Sequence, residues 1–303
     1  MSEDLPTVMV QPVSFQSKLR SWLLIFREYT KGNFNNADAL LKRHAELCET
    51  YQRWRGSTIT SATVLDLGCG QLAAQAALFA GAGANTTAVD IELPSYRLSI
   101  RQLFRIWRAN GPERAAKSVV RHFLFDRPFV ARLRSTGDHI PCWEKVRFRR
   151  MNASALDFDS ESFDFVYSDW AFEHIADVAG ALSAVRRVLR PGGIFTGRIH
   201  LFPSLSGGHN LEWHYPDVKM QRRSEPWDHL RSNQFPVNVY VNRLRLEDYR
   251  RLLTARLTVQ SERITYEGET FLTPLIEAEL ANRGYGHDDL LATVLDVVAT
   301  RSG

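Results

Sequence analysis

Cysteine is scarce in this chain. Cys48, Cys69 and Cys142 are the only three in 303 residues, and they share no metal-like spacing. That count excludes a disulfide framework and a paired-cysteine zinc motif, and it fits a reducing compartment. Long apolar runs are missing too. The greasiest early stretch, "SWLLIF" at 21–26, sits between charged residues. It falls well short of the roughly 20 residues that a membrane span needs. The opening "MSEDLPTVMV" lacks a basic stretch followed by an apolar core. No secretory signal is read there, so a cytoplasmic protein without a membrane span is expected. Internal repeats and low-complexity tracts are also absent.

What is present is ordinary in amount and uneven in placement. Hydrophobic residues make up 44% and charged residues 24%, enough for a core of normal size and a solvated surface. The formal charge is +4 overall, yet residues 91–150 carry fourteen Lys/Arg against five Asp/Glu. Such a local excess attracts anionic partners or forms a solvated helical face. Aromatic residues Phe104, Trp107, Phe123 and Phe125 are interleaved with it. The stretch would suit a phosphate-bearing or nucleotide-linked acceptor. It carries no nucleic-acid recognition motif, and no nucleic-acid partner is expected.

Along the chain, "FQSKLRSWLLIFREY" and "NADALLKRHAELCETYQRW" space apolar residues by three and four, which predicts two helices. From residue 61 the pattern alternates. Strands are expected at 63–68, 86–91, 147–153, 163–169, 194–200 and 257–267. Between them lie an alanine-rich helix at 71–83 and amphipathic helices at 178–190 and 244–255. "RPGG" at 190–193 reads as a turn before the fifth strand. This alternation implies a Rossmann-like α/β fold, doubly wound around a mostly parallel sheet. Two segments interrupt it: a helical insertion at about 94–145, and an irregular segment at about 201–240 rich in His, Trp, Pro and Gly. Long irregular loops on such a sheet hang over the carboxyl ends of the strands, where ligands bind. The expected organisation is an N-terminal helical cap over 1–60 and a cofactor-binding domain over 61–303.

The stretch "VLDLGCGQLAA" at 64–74 is a buried strand breaking into a glycine turn and a helix. Gly68, Gly70 and Ala73 match the dinucleotide fingerprint G-x-G-x-x-G/A. Asp90 closes the next strand, placed to accept hydrogen bonds from both hydroxyls of a ribose. Up to this point a nicotinamide dinucleotide and another adenosyl cofactor are equally served. Asp66 separates them. A carboxylate beside the turn would repel a diphosphate, but it would welcome the ammonium and sulfonium of S-adenosylmethionine. The plainer role for Asp66 is to satisfy amides of the turn.

In order, "VLDLGCG", "AVDI", "NASALDF", "SFDFVYSDWAFEHI" and "VRRVLRPGGIF" resemble the class I S-adenosylmethionine-dependent methyltransferases, most of all those acting on small molecules, quinones, lipids and sugars. The resemblance covers 62–90 and 147–200 well and 244–267 loosely. It implies a seven-stranded sheet and S-adenosylmethionine as cofactor. Asp66, Gly68, Cys69 and Gly70 would then line the methionine end. Asp90 would hold the ribose, and Ile91 would pack on the adenine. Asn152 and Ala153 would meet the adenine edge, with the Asn152 amide oxygen accepting from the adenine amino group. Ser168 and Asp169 would border the transferred methyl.

An alcohol acceptor must lose a proton, and histidine is the side chain suited to take it near neutrality. His174, His200, His209 and His214 are the candidates, with His229 further along. Each would otherwise be an ordinary hydrogen-bonding residue. Some relatives of this class carry E-x-x-E-H at the fourth strand and bind a divalent ion. Here Trp170 stands at the first position before Glu173 and His174, so no metal is expected. Trp213, Tyr215, Trp227 and Phe235 supply faces that stack on rings or pack into the loop's own core. The expected activity is O-methylation of a small molecule or a sugar or glycan precursor. N- or C-methylation and a catalytically inactive S-adenosylmethionine-binding partner are the alternatives. Oligomeric state is not legible.

Overall fold

The computed structural model describes Leu23, Phe26, Arg27 and residues 36–301, apart from 95, 97, 137–138, 215, 217–220 and 238. The first expected helix therefore lies almost wholly outside the described residues, as does Tyr215. No helix among the described residues is long and apolar enough to cross a membrane.

Seven strands form one sheet: β1 (Thr63–Leu67), β2 (Asn85–Asp90), β3 (Arg147–Arg150), β4 (Phe163–Asp169), β5 (Leu189–His200), β6 (Thr258–Tyr266) and β7 (Ala292–Thr300), in the order β3-β2-β1-β4-β5-β7-β6. The first five run parallel, and β7 alone is reversed, pairing antiparallel with both β5 and β6. β1 and β4 are buried along nearly their whole length, as strands covered on both faces must be. From β1 the chain builds outward to β3, then returns to the other side of β1 for β4. The crevice for a ligand in such a sheet opens at that reversal, beyond the carboxyl ends of β1 and β4.

Helices cover both faces. On one lie α1 (Ala37–Arg55) and α2 (Ala74–Gly81). Asn36 caps α1 by accepting the N–H groups of Asp38 and Ala39, and Gly56 closes it in the left-handed conformation. Leu47 and Tyr51 of α1 pack with Phe79 of α2 and with Val64, Phe165 and Tyr167 of the sheet. Because α2 is built largely from alanine, its backbone lies close to the strands, and Ala76 to Ala80 are all inaccessible. The helical insertion holds α3 (Ile100–Asn110), α4 (Pro112–Arg121) and α5 (Arg127–Thr136). On the opposite face, α6 (Val178–Val188) and α7 (Leu246–Thr254) bury Leu182, Val185, Tyr249 and Leu253 against Phe195, Leu295 and Val297. A further helix, α8 (Pro274–Ala281), packs beneath the 201–240 segment. There Leu280, Leu290, Trp213 and Trp227 make a small core of their own, so two of the loop's tryptophans serve packing.

The "RPGG" motif departs from expectation. β5 already pairs at Leu189 with Phe163, and the motif is an irregularity inside the strand before Ile194 meets Phe165. Gly192, at φ +70°, takes the kink.

Candidate functional site

The glycine turn follows directly from β1 and is stitched to β2. The N–H groups of Gly68 and Cys69 both donate to the Val89 carbonyl, at 2.9 and 3.2 Å. Gly68 has φ +81°, and a Cβ there would lie 2.4 Å from the Cβ of Ala171, just past β4. Only glycine combines that backbone with so close an approach. Asp90, ending β2, holds the turn from the other side. Its Oδ2 accepts the Gly70 N–H and its Oδ1 the Glu92 N–H, each at 2.9 Å. Each oxygen keeps a further lone pair for a ligand hydroxyl. Burial pushes the Asp90 carboxyl above its usual range, and the two amides oppose that rise.

Beyond the turn lies a cleft of about 1100 Å³. Gly68, Gly70, Asp90, Ile91, Asn152, Ala153 and His174 all stand on its wall, so the structure brings seven of the sequence-read residues together. Trp170, Ala171 and Tyr240 close the end near His174. Arg114, Lys117 and Arg150 line the cleft as well, beside Glu92 and Glu113, and Lys117 is paired with Glu113. Arg114 is paired with Glu92. The Asn152 amide oxygen is already occupied, accepting from the Ser154 N–H at 3.1 Å and the Ser154 hydroxyl at 3.0 Å. Its amide NH2, rather than its oxygen, is what Asn152 can offer a ligand.

Other expected contacts are not on the wall. Ser168 is fully buried and donates to the Leu67 carbonyl at 2.7 Å, tying β4 to β1. Asp169 is gripped by Arg43 of α1 through two hydrogen bonds of 2.8 Å. Arg43 in turn reaches Asp296 of β7, which also holds Arg198 of β5. Both residues therefore fasten elements together. Cys69 turns toward the small side chains of α2. Asp66 is only 3% exposed and sits behind the turn. The Tyr167 hydroxyl and the Ala76 N–H approach its carboxylate. Burial, with the charges of Asp169 and Asp90 adding to it, pushes the Asp66 carboxyl up to about 8.

The histidines gather behind the Trp170 end. Rings of His174 and His209 are 4.8 Å apart, His200 and His209 5.0 Å, and His200 and His214 6.0 Å. His174 Nδ1 lies 2.7 Å from the Tyr240 carbonyl. A carbonyl only accepts, so Nδ1 carries the proton and Nε2 keeps its lone pair. His200 Nε2 is 2.8 Å from the Ser206 hydroxyl. Burial drives His200 down to about 3 and His209 down to about 2, with the neighbouring histidines adding to the effect, so both rings are neutral near pH 7. His174 is also lowered by burial. His229, by contrast, bonds to the Phe202 carbonyl inside the loop. Within the same group Glu173 is 1% exposed. The backbone N–H groups of Glu173 and His200 lean toward its carboxylate without closing a well-directed hydrogen bond. Sequence reasoning also missed Asn242, whose amide donates to the Phe172 and Ile175 carbonyls and fixes the turn carrying Glu173 and His174.

This sheet order, with the glycine turn and acid-ended β2 at its switch point, is that of a class I methyltransferase. The family model for a methyltransferase domain matches residues 114–196, from within the insertion into β5. The matched stretch carries β3, β4 and the start of β5, and it agrees with the sheet order in supporting an S-adenosylmethionine-dependent methyltransferase domain. No curated protein sequence matches the chain. Solved structures that resemble it include an S-adenosylmethionine-dependent methyltransferase from Mesorhizobium loti, at 18% identity, covering 83% of this chain and 98% of that one, TM-score 0.42. Another is the 1,6-didemethyltoxoflavin-N1-methyltransferase of Burkholderia thailandensis, bound to its substrate and S-adenosylhomocysteine, at 15% identity, 97% and 94% coverage and TM-score 0.44. Likenesses this distant say nothing about the acceptor.

Proposed function

We propose that the protein transfers the methyl group of S-adenosylmethionine to a hydroxyl of a small acceptor, such as a phenol, a sugar or a glycan precursor. The observation that carries this reading is the continuity of one cleft from the Asp90-braced glycine turn to His174. The cofactor's ribose would bond to the free lone pairs of Asp90. Ile91, 55% exposed, would lie against the adenine, and the Asn152 NH2 would donate to a ring nitrogen. The ammonium end would rest on the turn, above Asp66. A cation brought there favours the ionised form of that buried acid, so cofactor and carboxylate stabilise one another.

The acceptor would enter at the Trp170 and Tyr240 end. S-adenosylmethionine held there would supply an activated methyl group to the acceptor oxygen and would leave as S-adenosylhomocysteine. Holding the two reactants in line supplies much of the rate. The hydroxyl proton passes to His174 Nε2, whose lone pair is kept available by the Nδ1 bond to Tyr240. Calorimetry with S-adenosylhomocysteine, followed by mass-spectrometric detection of methylated product across phenols, sugars and sugar phosphates, tests the reading. Absence of cofactor binding would refute it outright. Methylation confined to amines or carbon acids would refute the hydroxyl assignment.

A further inference from the structure

Glu173, His200 and His209 offer one ligand atom each, and these atoms lie within 4.8 Å of one another. The three come from separate places: the turn after β4, the end of β5, and the loop that follows β5. We propose that they form a binding site for a divalent first-row transition-metal ion.

Two independent observations point to an occupant. Both carboxylate oxygens of Glu173 are buried without a hydrogen-bond partner, and so is Nε2 of His209. A buried carboxylate in that state is costly unless a cation faces it. A buried imidazole nitrogen without a partner is likewise an unmet acceptor or donor. One ion between them answers both. The remaining ligand, His200, is held by Ser206 at one ring nitrogen, the kind of outer bond that orients a metal-bound imidazole. Asn242 fixes the turn bearing Glu173 by donating its amide to the Phe172 and Ile175 carbonyls on either side.

The donor set defines the chemistry. Two imidazoles and one carboxylate suit zinc, iron(II) or manganese rather than a calcium-type ion, which takes six to eight oxygens. A four-coordinate ion with bonds near 2.0–2.1 Å wants its ligand atoms roughly 3.4 Å apart, so modest side-chain rotation closes the site. Three protein ligands leave a position open, the arrangement of reactive rather than purely structural sites. His174, its Nδ1 committed to Tyr240, is a neighbour and not a ligand. The set therefore differs from the E-x-x-E-H pattern, whose first glutamate is replaced here by Trp170. A role for the ion in activating an acceptor hydroxyl rests on the proposed methyl transfer. Its binding does not.

The full chain, stripped with a chelator and dialysed, is titrated with cobalt(II) and with zinc(II). Visible absorption and elemental analysis should report one ion per chain. Glu173→Gln and His209→Asn should each weaken binding by more than about a hundredfold, beyond the 10–100-fold that outer groups command. His287→Ala, an exposed histidine paired with Glu277, should bind as the parent does. S-adenosylhomocysteine calorimetry on the same samples shows that each variant is folded, and His200→Asn replaces any variant that is not. No ion on the parent chain, or equal binding by the ligand variants, overturns the proposal. Metal binding without any cofactor binding would instead remove the methyltransferase reading and leave the metal site standing.

Discussion

Asp90 and Gly70 are joined by a hydrogen bond of 2.9 Å from the glycine N–H to the carboxylate, so the residue proposed to hold the ribose also holds the turn beneath it. Removing the side chain therefore loses two things at once. Asp90→Ala should weaken S-adenosylhomocysteine binding at least about tenfold, the consequence of losing charge-assisted bonds worth roughly 1.5–3 kcal/mol. Asp90→Asn keeps one acceptor oxygen and should fall between the two. Isothermal calorimetry decides it: unchanged affinity in the alanine variant would detach Asp90 from the cofactor.

Gly68 faces Ala171 so closely that any side chain must displace it, and its φ of +81° is strained for any other residue. Gly68→Ala should cost roughly 1–3 kcal/mol in backbone strain alone. The overlap with Ala171 then pushes the β4 end away from the turn and distorts the cleft. Shortening the clashing partner, as Ala171→Gly in the same chain, should restore part of the cofactor affinity but not the strain. Thermal unfolding and calorimetry measured together separate the two effects. A Gly68→Ala protein as stable as its parent would contradict the geometry.

The β1 to β2 region was readable because its signals are local. An apolar strand broken only by Asp66, the glycine turn at 68–70 and an alanine-rich helix all lie within residues 64–81. Asp90 was readable for the same reason, one strand later. Ser168 and Asp169 misled because proximity in sequence to the cleft does not decide where a side chain goes. Ser168 turns into the sheet toward Leu67, and Asp169 finds Arg43, 126 residues away. Strand β7 escaped separate notice since "TVLDVVAT" earns its place only between β5 and β6, each of which pairs with it antiparallel. The histidines were legible as residue types suited to proton transfer. Their convergence with Glu173 was not, because it depends on a loop returning over the end of β5.

Asp66 gives the apo protein a characteristic pH dependence. An aspartate in the unfolded chain titrates near 3.8, whereas burial raises this one to about 8 in the fold. Between those values the native state keeps a proton that the unfolded state has released. Stability must then fall as pH rises through that window, and level off above it. The charges facing Asp66 are those of Asp169, Asp90 and, as they ionise, Cys69 and Tyr167. Asp66→Asn, neutral throughout, should show a flatter curve between pH 4 and about 8. Denaturant midpoints across that range measure it. Parallel curves for parent and variant would show that Asp66 is not the buried acid responsible.

Arg43 and Asp169 make the sharpest contrast between fold and cofactor site. Arg43 carries two bonds to Asp169 and also faces Asp296 and Glu46, and its guanidinium is largely shielded from water. Replacing it with methionine leaves the Asp169 and Asp296 carboxylates in a poorly solvated place with fewer partners. The expected loss is about 3 kcal/mol, as for a buried pair broken on one side. Removing both charges, as Arg43→Met with Asp169→Leu, should recover much of that loss, because no lone charge remains between α1 and β4. Cofactor affinity should change by no more than about twofold in the double variant, since 1.4 kcal/mol is a factor of ten and neither side chain stands on the cleft wall. Chemical denaturation and S-adenosylhomocysteine calorimetry test the two halves separately. A stable double variant that no longer binds the cofactor would return Asp169 to the methyl-binding position that its place after β4 first suggested.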